Sequence, residues 1–303
     1  MINNNKRFQP TDQPGPMGPA QRARSFFLPI LWLLLGLLVL RPAAAANVPP
    51  LVLGVFPNTT AKQIVETYRP LANALEKPLH RRVEIYSAPN FKTFVERTRQ
   101  GEYDLLLTAP HLAWLARQDA GYQPLLKYTQ PVRGLLVVKS TSPYREVAEL
   151  RGRSIAIPDP LAVIVLAMQD ELAKDGLKPN IDYRTIEAGT HINAAMQIIN
   201  GRADAAMIGL HPYKQMPPDL RSQLRVLAET PPLSSLTFLT HPRLHDAEVT
   251  TIRNTLLNFA TTSAGQAFLK QSGFGGFSPL DGNELNAFRP YALQTQKMLQ
   301  DMQ

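Results

Sequence analysis

Apolar positions along this chain fall into short unbroken runs that alternate with helix-spaced faces. Leu51 to Phe56 is the first run, and Ile64, Tyr68, Leu71, Ala72 and Leu75 then recur at helical spacing. Thr60 and Gln63 have capping-box spacing at the start of that helix, and Pro70 is expected to kink it. Further strands are expected at 82–86, 122–128, 154–157, 183–187 and 225–228, with helices at 90–99 and from Pro110 onward. Asp159 and Pro160 read as N-cap and first residue of a helix whose inner face is Leu161, Ile164, Val165, Met168 and Leu172. Three helical stretches close the chain, at 246–260, 264–271 and 283–300.

One segment of this pattern occurs twice. Gly101, Asp104 and His111 enclose an apolar run, and Gly201, Asp204 and His211 repeat the same spacing. Each copy follows a short amphipathic helix, and each Gly suits the left-handed turn that stops it. The apolar run reads as a buried parallel strand, which places His just past its carboxyl end, where open α/β sheets hold ligands. Two αβ units can look alike by coincidence. The fuller reading is a pair of similar α/β lobes aiming equivalent loops at one cleft. The chain would cross between them near 130–138 and 228–236, a two-strand hinge that permits closure. Lobe 1 is then 47–132 with 233–303, and lobe 2 is 133–232.

The first 46 residues stand apart. Residues 1–24 are polar, and Phe26 to Leu40 is a 15-residue run without charge. A helix of that length spans roughly 22 Å, short of the roughly 30 Å hydrocarbon core. Arg22 and Arg24 precede it and Arg41, Pro42 and Ala43 to Ala46 follow, the form of a signal peptide cut near Ala44–Asn47. The expected location is periplasmic. Met17 would give a leader of more ordinary length than Met1. An uncleaved anchor is the alternative.

Charge and cysteine content narrow the chemistry. The net charge of +8 divides into +4 for residues 1–46 (five basic, one acidic) and +4 for the rest (27 basic, 23 acidic). The body has no basic run interleaved with aromatics, so nucleic acid is not the expected partner. With no cysteine in the chain, disulfides, thiolate chemistry and Cys-linked lipid are excluded. P-loop, G-x-S-x-G and H-E-x-x-H patterns are absent, so no enzyme is expected. The Gly273, Phe274, Gly275 and Gly276 stretch follows a helix rather than a strand, which leaves a dinucleotide role unsupported.

Several loops that open helices should face the cleft. Helix N-termini offer unpaired N–H groups, and hydroxyls and imidazoles add donors, so a small anion is the default guest. The candidate binding residues are Asn58, Thr59, Thr60, Thr108, His111, Trp114, Leu161, Ala162, Thr190, His191 and His211. Simple capping competes as the role of Thr59, Thr60, Thr190 and Asp159, and Asn58 to Thr60 also fits a glycosylation sequon. Trp114 either closes the pocket or packs its helix. The three cleft histidines lack the carboxylates or close spacing of a metal site, so no metal or cofactor is expected. His80, His241 and His245 read as surface residues.

The chain resembles the periplasmic phosphate/phosphite/phosphonate-binding proteins of ABC importers over about residues 50–260. The residues that carry the likeness are Tyr68 to Leu71, Gly101 with Asp104, Thr108 to Trp114, Leu150 to Pro160, Gly189 to His191, Asn200 to Ala205 and the Pro231–Pro232 pair. The resemblance implies a type 2 periplasmic binding fold: α/β, two lobes, two-strand hinge. It implies delivery of a small anionic ligand, phosphonate-like or an organic acid, to a membrane permease; a monomer is expected. An adaptor of the same fold that signals to a membrane kinase is the alternative. The family's hydroxyl-rich run after Asp-Pro is here Leu161 to Val165, with no hydroxyl, and its aromatic ligand contact falls on Trp114. The family's acidic amine-reading residue falls near Leu210, and only His191 carries over cleanly. Each lost hydrogen bond to a charged group is worth about 1.5–3 kcal/mol, so simple phosphonates should bind weakly. A ligand with an apolar portion against Leu161 to Val165 suits the run better.

Overall fold

The structure is a computed structural model that describes residues 48–302; the expected signal peptide lies outside the described residues. The chain begins β1 (Leu51–Val55), α1 (Ala61–Leu79), β2 (Val83–Tyr86), α2 (Phe91–Arg99), β3 (Leu105–Thr108), α3 (Pro110–Ala120) and β4 (Gln123–Tyr128). It continues with β5 (Gly134–Lys139), β6 (Ser154–Ile157), α4 (Val163–Lys174), β7 (Arg184–Glu187), α5 (His191–Ile199) and β8 (Ala205–Gly209). Next come α6 (Leu210–Gln215), α7 (Pro218–Arg221), β9 (Leu224–Glu229), β10 (Thr237–Thr240) and α8 (Asp246–Phe259). The last elements are α9 (Ser263–Ser272), β11 (Phe277–Pro279) and α10 (Arg289–Asp301).

These strands form two separate mixed sheets, in the orders β11-β4-β10-β3-β1-β2 and β7-β6-β8-β5-β9. Each sheet contains a parallel trio, β2-β1-β3 in one and β7-β6-β8 in the other. Each trio is extended by an antiparallel strand, β10 beside β3 and β5 beside β8. Both of these added strands directly follow a crossing from the other sheet. At the crossings Val132 and Leu233 exchange backbone hydrogen bonds of 3.1 and 2.9 Å. The molecule is therefore α/β and two-lobed, with a two-strand connection.

The duplicated segment plays the same part twice. Gly101 (φ +70°) and Gly201 (φ +67°) take the left-handed conformation just past α2 and α5. The aspartate three residues on then fastens the next strand to its parallel neighbour. Asp104 donates its N–H to Val52 O (2.9 Å), and its carboxylate accepts Val52 N–H (2.7 Å). Asp204 donates to Ser154 O (2.9 Å) and accepts from Ser154 N–H (2.9 Å) and its hydroxyl (2.8 Å). An aspartate bonded to its neighbour's backbone through both its N–H and its carboxylate sets the register in which β3 and β8 start.

The larger apolar cluster runs from the first sheet and its helices through Leu161–Val165 and the α4 face of the second sheet. A smaller one lies under α5, on the opposite face of the second sheet, around Ala194, Ile198 and Ile208. Three local expectations change. α4 starts at Val163 with Ala162 as N-cap, not at Asp159. The Asp159 carboxylate accepts Leu161 N–H (2.8 Å) and its carbonyl accepts Ala162 N–H (3.1 Å), which closes a turn ahead of the helix. The last expected helix is split into a 3-10 turn, Glu284–Phe288, and α10, because Pro290 has no N–H to continue the turn and suits a helix start. His241 is half-buried rather than on the surface, edge-on to Tyr122 with ring centroids 5.0 Å apart. Gly101 leaves it room: a Cβ there would lie 2.7 Å from His241 Nε2. α1 runs as one helix through both Pro70 and Pro78.

Candidate functional site

The loops after β1, β3, β6, β7 and β8 carry the candidate residues, and they divide into caps, packing residues and a small group that meets between the sheets. Thr60 is the N-cap of α1: its Oγ1 accepts Gln63 N–H (3.3 Å) and donates to Gln63 Oε1 (3.0 Å). Thr59 donates to the same Oε1, and Asn58 beside it is part-exposed. Thr190 caps α5 through Asn193 N–H (3.1 Å). Thr108 is fully buried and, with Leu106, lines a void of about 10 Å³ between α2 and α3. It therefore faces its own helices rather than the opposite sheet, and its Oγ1 has no partner among the described residues. Trp114 is half-buried against the larger apolar cluster, which fits the packing role.

His111 belongs to the meeting group. It is 0% exposed, and its Nε2 lies 2.8 Å from the carbonyl oxygen of Leu161, across the gap between the sheets. A carbonyl only accepts, so the proton sits on Nε2 and Nδ1 is a bare acceptor. Nδ1 has no partner. Burial pulls the imidazole down to about 4, against the opposing pull of the Leu161 carbonyl, so the ring is neutral. Leu161 and Ala162 are themselves buried, 1% and 7% exposed. The run of apolar residues from 161 to 165 thus fills the gap rather than lining a polar hollow.

His191 and His211 form the second half of the group. Part of the His191 residue reaches solvent, but protein surrounds its ring, and Nδ1 accepts Gly209 N–H at 3.3 Å. Burial first, then the neighbouring His211, lowers it to about 4. His211 opens α6 and lies flat on Phe274, with centroids 4.2 Å apart and planes 24° apart. Burial and then Lys214 lower it to about 4 as well. Asp159 is shifted the other way: burial raises its carboxyl, opposed by the Leu161 N–H, with Glu187 adding to the rise.

Sequence reasoning did not find the partners that come from elsewhere in the chain. Gly273 and Phe274 form the floor under His211, and a Cβ on Gly273 would overlap the imidazole. Gln215 donates to Gln271 O (3.0 Å). The glycine-rich stretch around Gly273 was the visible signal, since Gly273 ends α9 with φ +69°. Among the described residues no group of three or more His, Cys, Asp or Glu is placed to hold a metal ion.

A family model described as "ABC transporter, phosphonate, periplasmic substrate-binding protein" matches residues 53–285. Solved structures with the same fold include a binding protein component of an ABC phosphonate transporter from Pseudomonas aeruginosa. It has TM-score 0.74 and 16% identity, covering 82% of this chain and 87% of that one. PhnD1 from Prochlorococcus marinus, in complex with methylphosphonate, has TM-score 0.74 and 13% identity, covering 82% and 98%. XAC2383 from Xanthomonas citri, bound to chloride ion, has TM-score 0.69 and 21% identity, covering 84% and 99%.

Proposed function

This chain belongs to the periplasmic substrate-binding proteins of phosphonate ABC transporters, and we propose that it takes an organic anion with an apolar portion between its two halves. Solute capture for a membrane importer in the periplasm is the family's role. The halves we assign are 47–132 with 233–303, and 133–232, turning about the paired crossings at Val132 and Leu233.

The observation that carries the ligand class is the composition of the meeting loops. Leu161, Ala162, Val163, Ile164 and Val165 offer no hydroxyl and are all at most 7% exposed. The N-termini of α3 and α4 lack side-chain caps, so their N–H groups remain the natural place for an anionic head. His111, His191 and His211 are neutral and supply hydrogen bonds rather than charge. Such a site gains little from a bare oxyanion and more from alkyl surface, at about 25 cal/mol per Å² buried. Entry requires the halves to part, because Leu161 and His111 touch.

Isothermal titration against phosphite, methylphosphonate and a series of longer alkylphosphonates, alkanesulfonates and carboxylates tests this. Affinity should rise with alkyl length, with phosphite and methylphosphonate weakest. Tighter binding of phosphite than of any alkylated anion would refute the proposed ligand class.

A further inference from the structure

Each half of the molecule sends the histidine of its own repeat copy into the other half. His111, at the start of α3, donates from Nε2 to the Leu161 carbonyl at 2.8 Å. His211, at the start of α6, lies on Phe274 with centroids 4.2 Å apart, pressed over Gly273. We propose that these two imidazoles form a reciprocal clasp that keeps the halves shut while both rings are neutral and lets them part on acidification. This goes beyond the solute-binding reading, and its test uses no ligand.

The clasp is sensitive to protons because of what surrounds each ring. His111 already uses Nε2–H, and its Nδ1 is buried without a partner among the described residues. A second proton there would be a buried cation with an unsatisfied donor, which the interior does not tolerate. Among the described residues no charged side chain acts on His111 from the elements packed on it. Asp159, in the loop that presents Leu161, has its carboxylate engaged by Leu161 N–H. On His211, Lys214 acts from α6 itself, and His191 faces it from α5. The facing residues Gln271, Gly273 and Phe274 bring no charge. A charged His211 would gain from the Phe274 face, but its Nε2 is enclosed without a partner among the described residues and Lys214 repels it.

The sign follows directly. Both rings sit at about 4 when enclosed, against about 6.5 in solvent. The open form therefore takes up protons first as pH falls, and closure is lost between those two values. From pH 7.5 to pH 5.0 the closed-to-open ratio should drop about thirtyfold per imidazole that opening exposes.

The absence of cysteine makes the measurement clean. Tyr86→Cys at the end of β2 (47% exposed) and Ile192→Cys in the first turn of α5 (39% exposed) place spin labels at the strand ends of the two halves. Pulsed dipolar spectroscopy should give one short distance at pH 7.5 and a dominant longer population at pH 5.0, with the far-UV spectrum unchanged. Adding His111→Gln and His211→Gln, which cannot titrate, should cut the pH dependence to no more than the remaining His191 can supply. An identical distance distribution at the two pH values overturns the clasp. So does unfolding at pH 5.0 in place of opening, or a shift that persists undiminished in the Gln variant. Should that variant fail to fold, the comparison in the unsubstituted histidine background still decides.

Discussion

Replacing Asp104 with Ala probes the device on which both sheets depend. The carboxylate is 5% exposed and holds Val52 N–H at 2.7 Å, Arg243 Nε at 2.6 Å and Arg81 Nη2 at 3.5 Å. Losing it strands the Val52 N–H inside the sheet, which costs about 1–3 kcal/mol. The Arg243 side chain is 42% exposed and returns to water at little cost. Arg81 is only 14% exposed, but it keeps Glu248 at 3.1 Å and the Pro50 carbonyl at 3.2 Å. The total is about 2–4 kcal/mol, well short of stranding a fully buried ion. With a urea slope of about 2–3 kcal/mol/M, the unfolding midpoint should fall by about 1 M at unchanged slope. Asp104→Asn keeps an acceptor for Val52 N–H and should lose about half as much. Asp204→Ala should cost about 2 kcal/mol through Ser154 N–H, the Ser154 hydroxyl and the Tyr144 hydroxyl. Equal losses for Asn and Ala at 104 would show that charge, not the backbone clip, matters. A neutral Asp204→Ala would refute the idea that the two copies do the same job.

Two other outcomes follow from the repeat. Gly201→Ala meets open space and should cost about 1 kcal/mol for its positive φ alone, whereas Gly101→Ala must also displace His241, whose Nε2 would lie 2.7 Å from the new Cβ. Thermal melts of both variants check the ordering, and equal melting temperatures would show that His241 swings aside freely. Asp204 is acid-sensitive: burial pushes its carboxyl up, but the Ser154 N–H and hydroxyl and the Tyr144 hydroxyl outweigh it, and the net position is below the ordinary carboxylate range. Its ionised form thus stabilises the fold at neutral pH, and that contribution is lost as pH falls from about 4 through the depressed folded value. Subtracting the stability of Asp204→Asn from that of the parent across an acid series should give a difference that shrinks there; a difference flat down to pH 2 would contradict the assignment.

Much of the architecture was legible from spacing. Gly101 and Gly201 end helices, and Leu105–Thr108 and Ala205–Gly209 are the buried strands that the apolar runs announce. The capping role of Thr60 and Thr190 was likewise readable, because a cap bonds a residue three positions away. Asp159 shows the limit of such local reasoning. Its turn and a helix start use the same residue types, and the choice rests on where the following chain must go.

What the order of residues decided for this protein is its set of elements and their doubling, since both depend on contacts a few positions apart. Periodicity along β3 could not say that Thr108 faces α2 and α3, because both faces of that strand are buried. Nor could it say that His111 would meet the Leu161 carbonyl, 50 positions along, or that Phe274 would carry His211. Those pairings exist only once the loops of the two sheets are brought together, where burial makes each imidazole neutral and gives the apolar run at Leu161 a surface to fill.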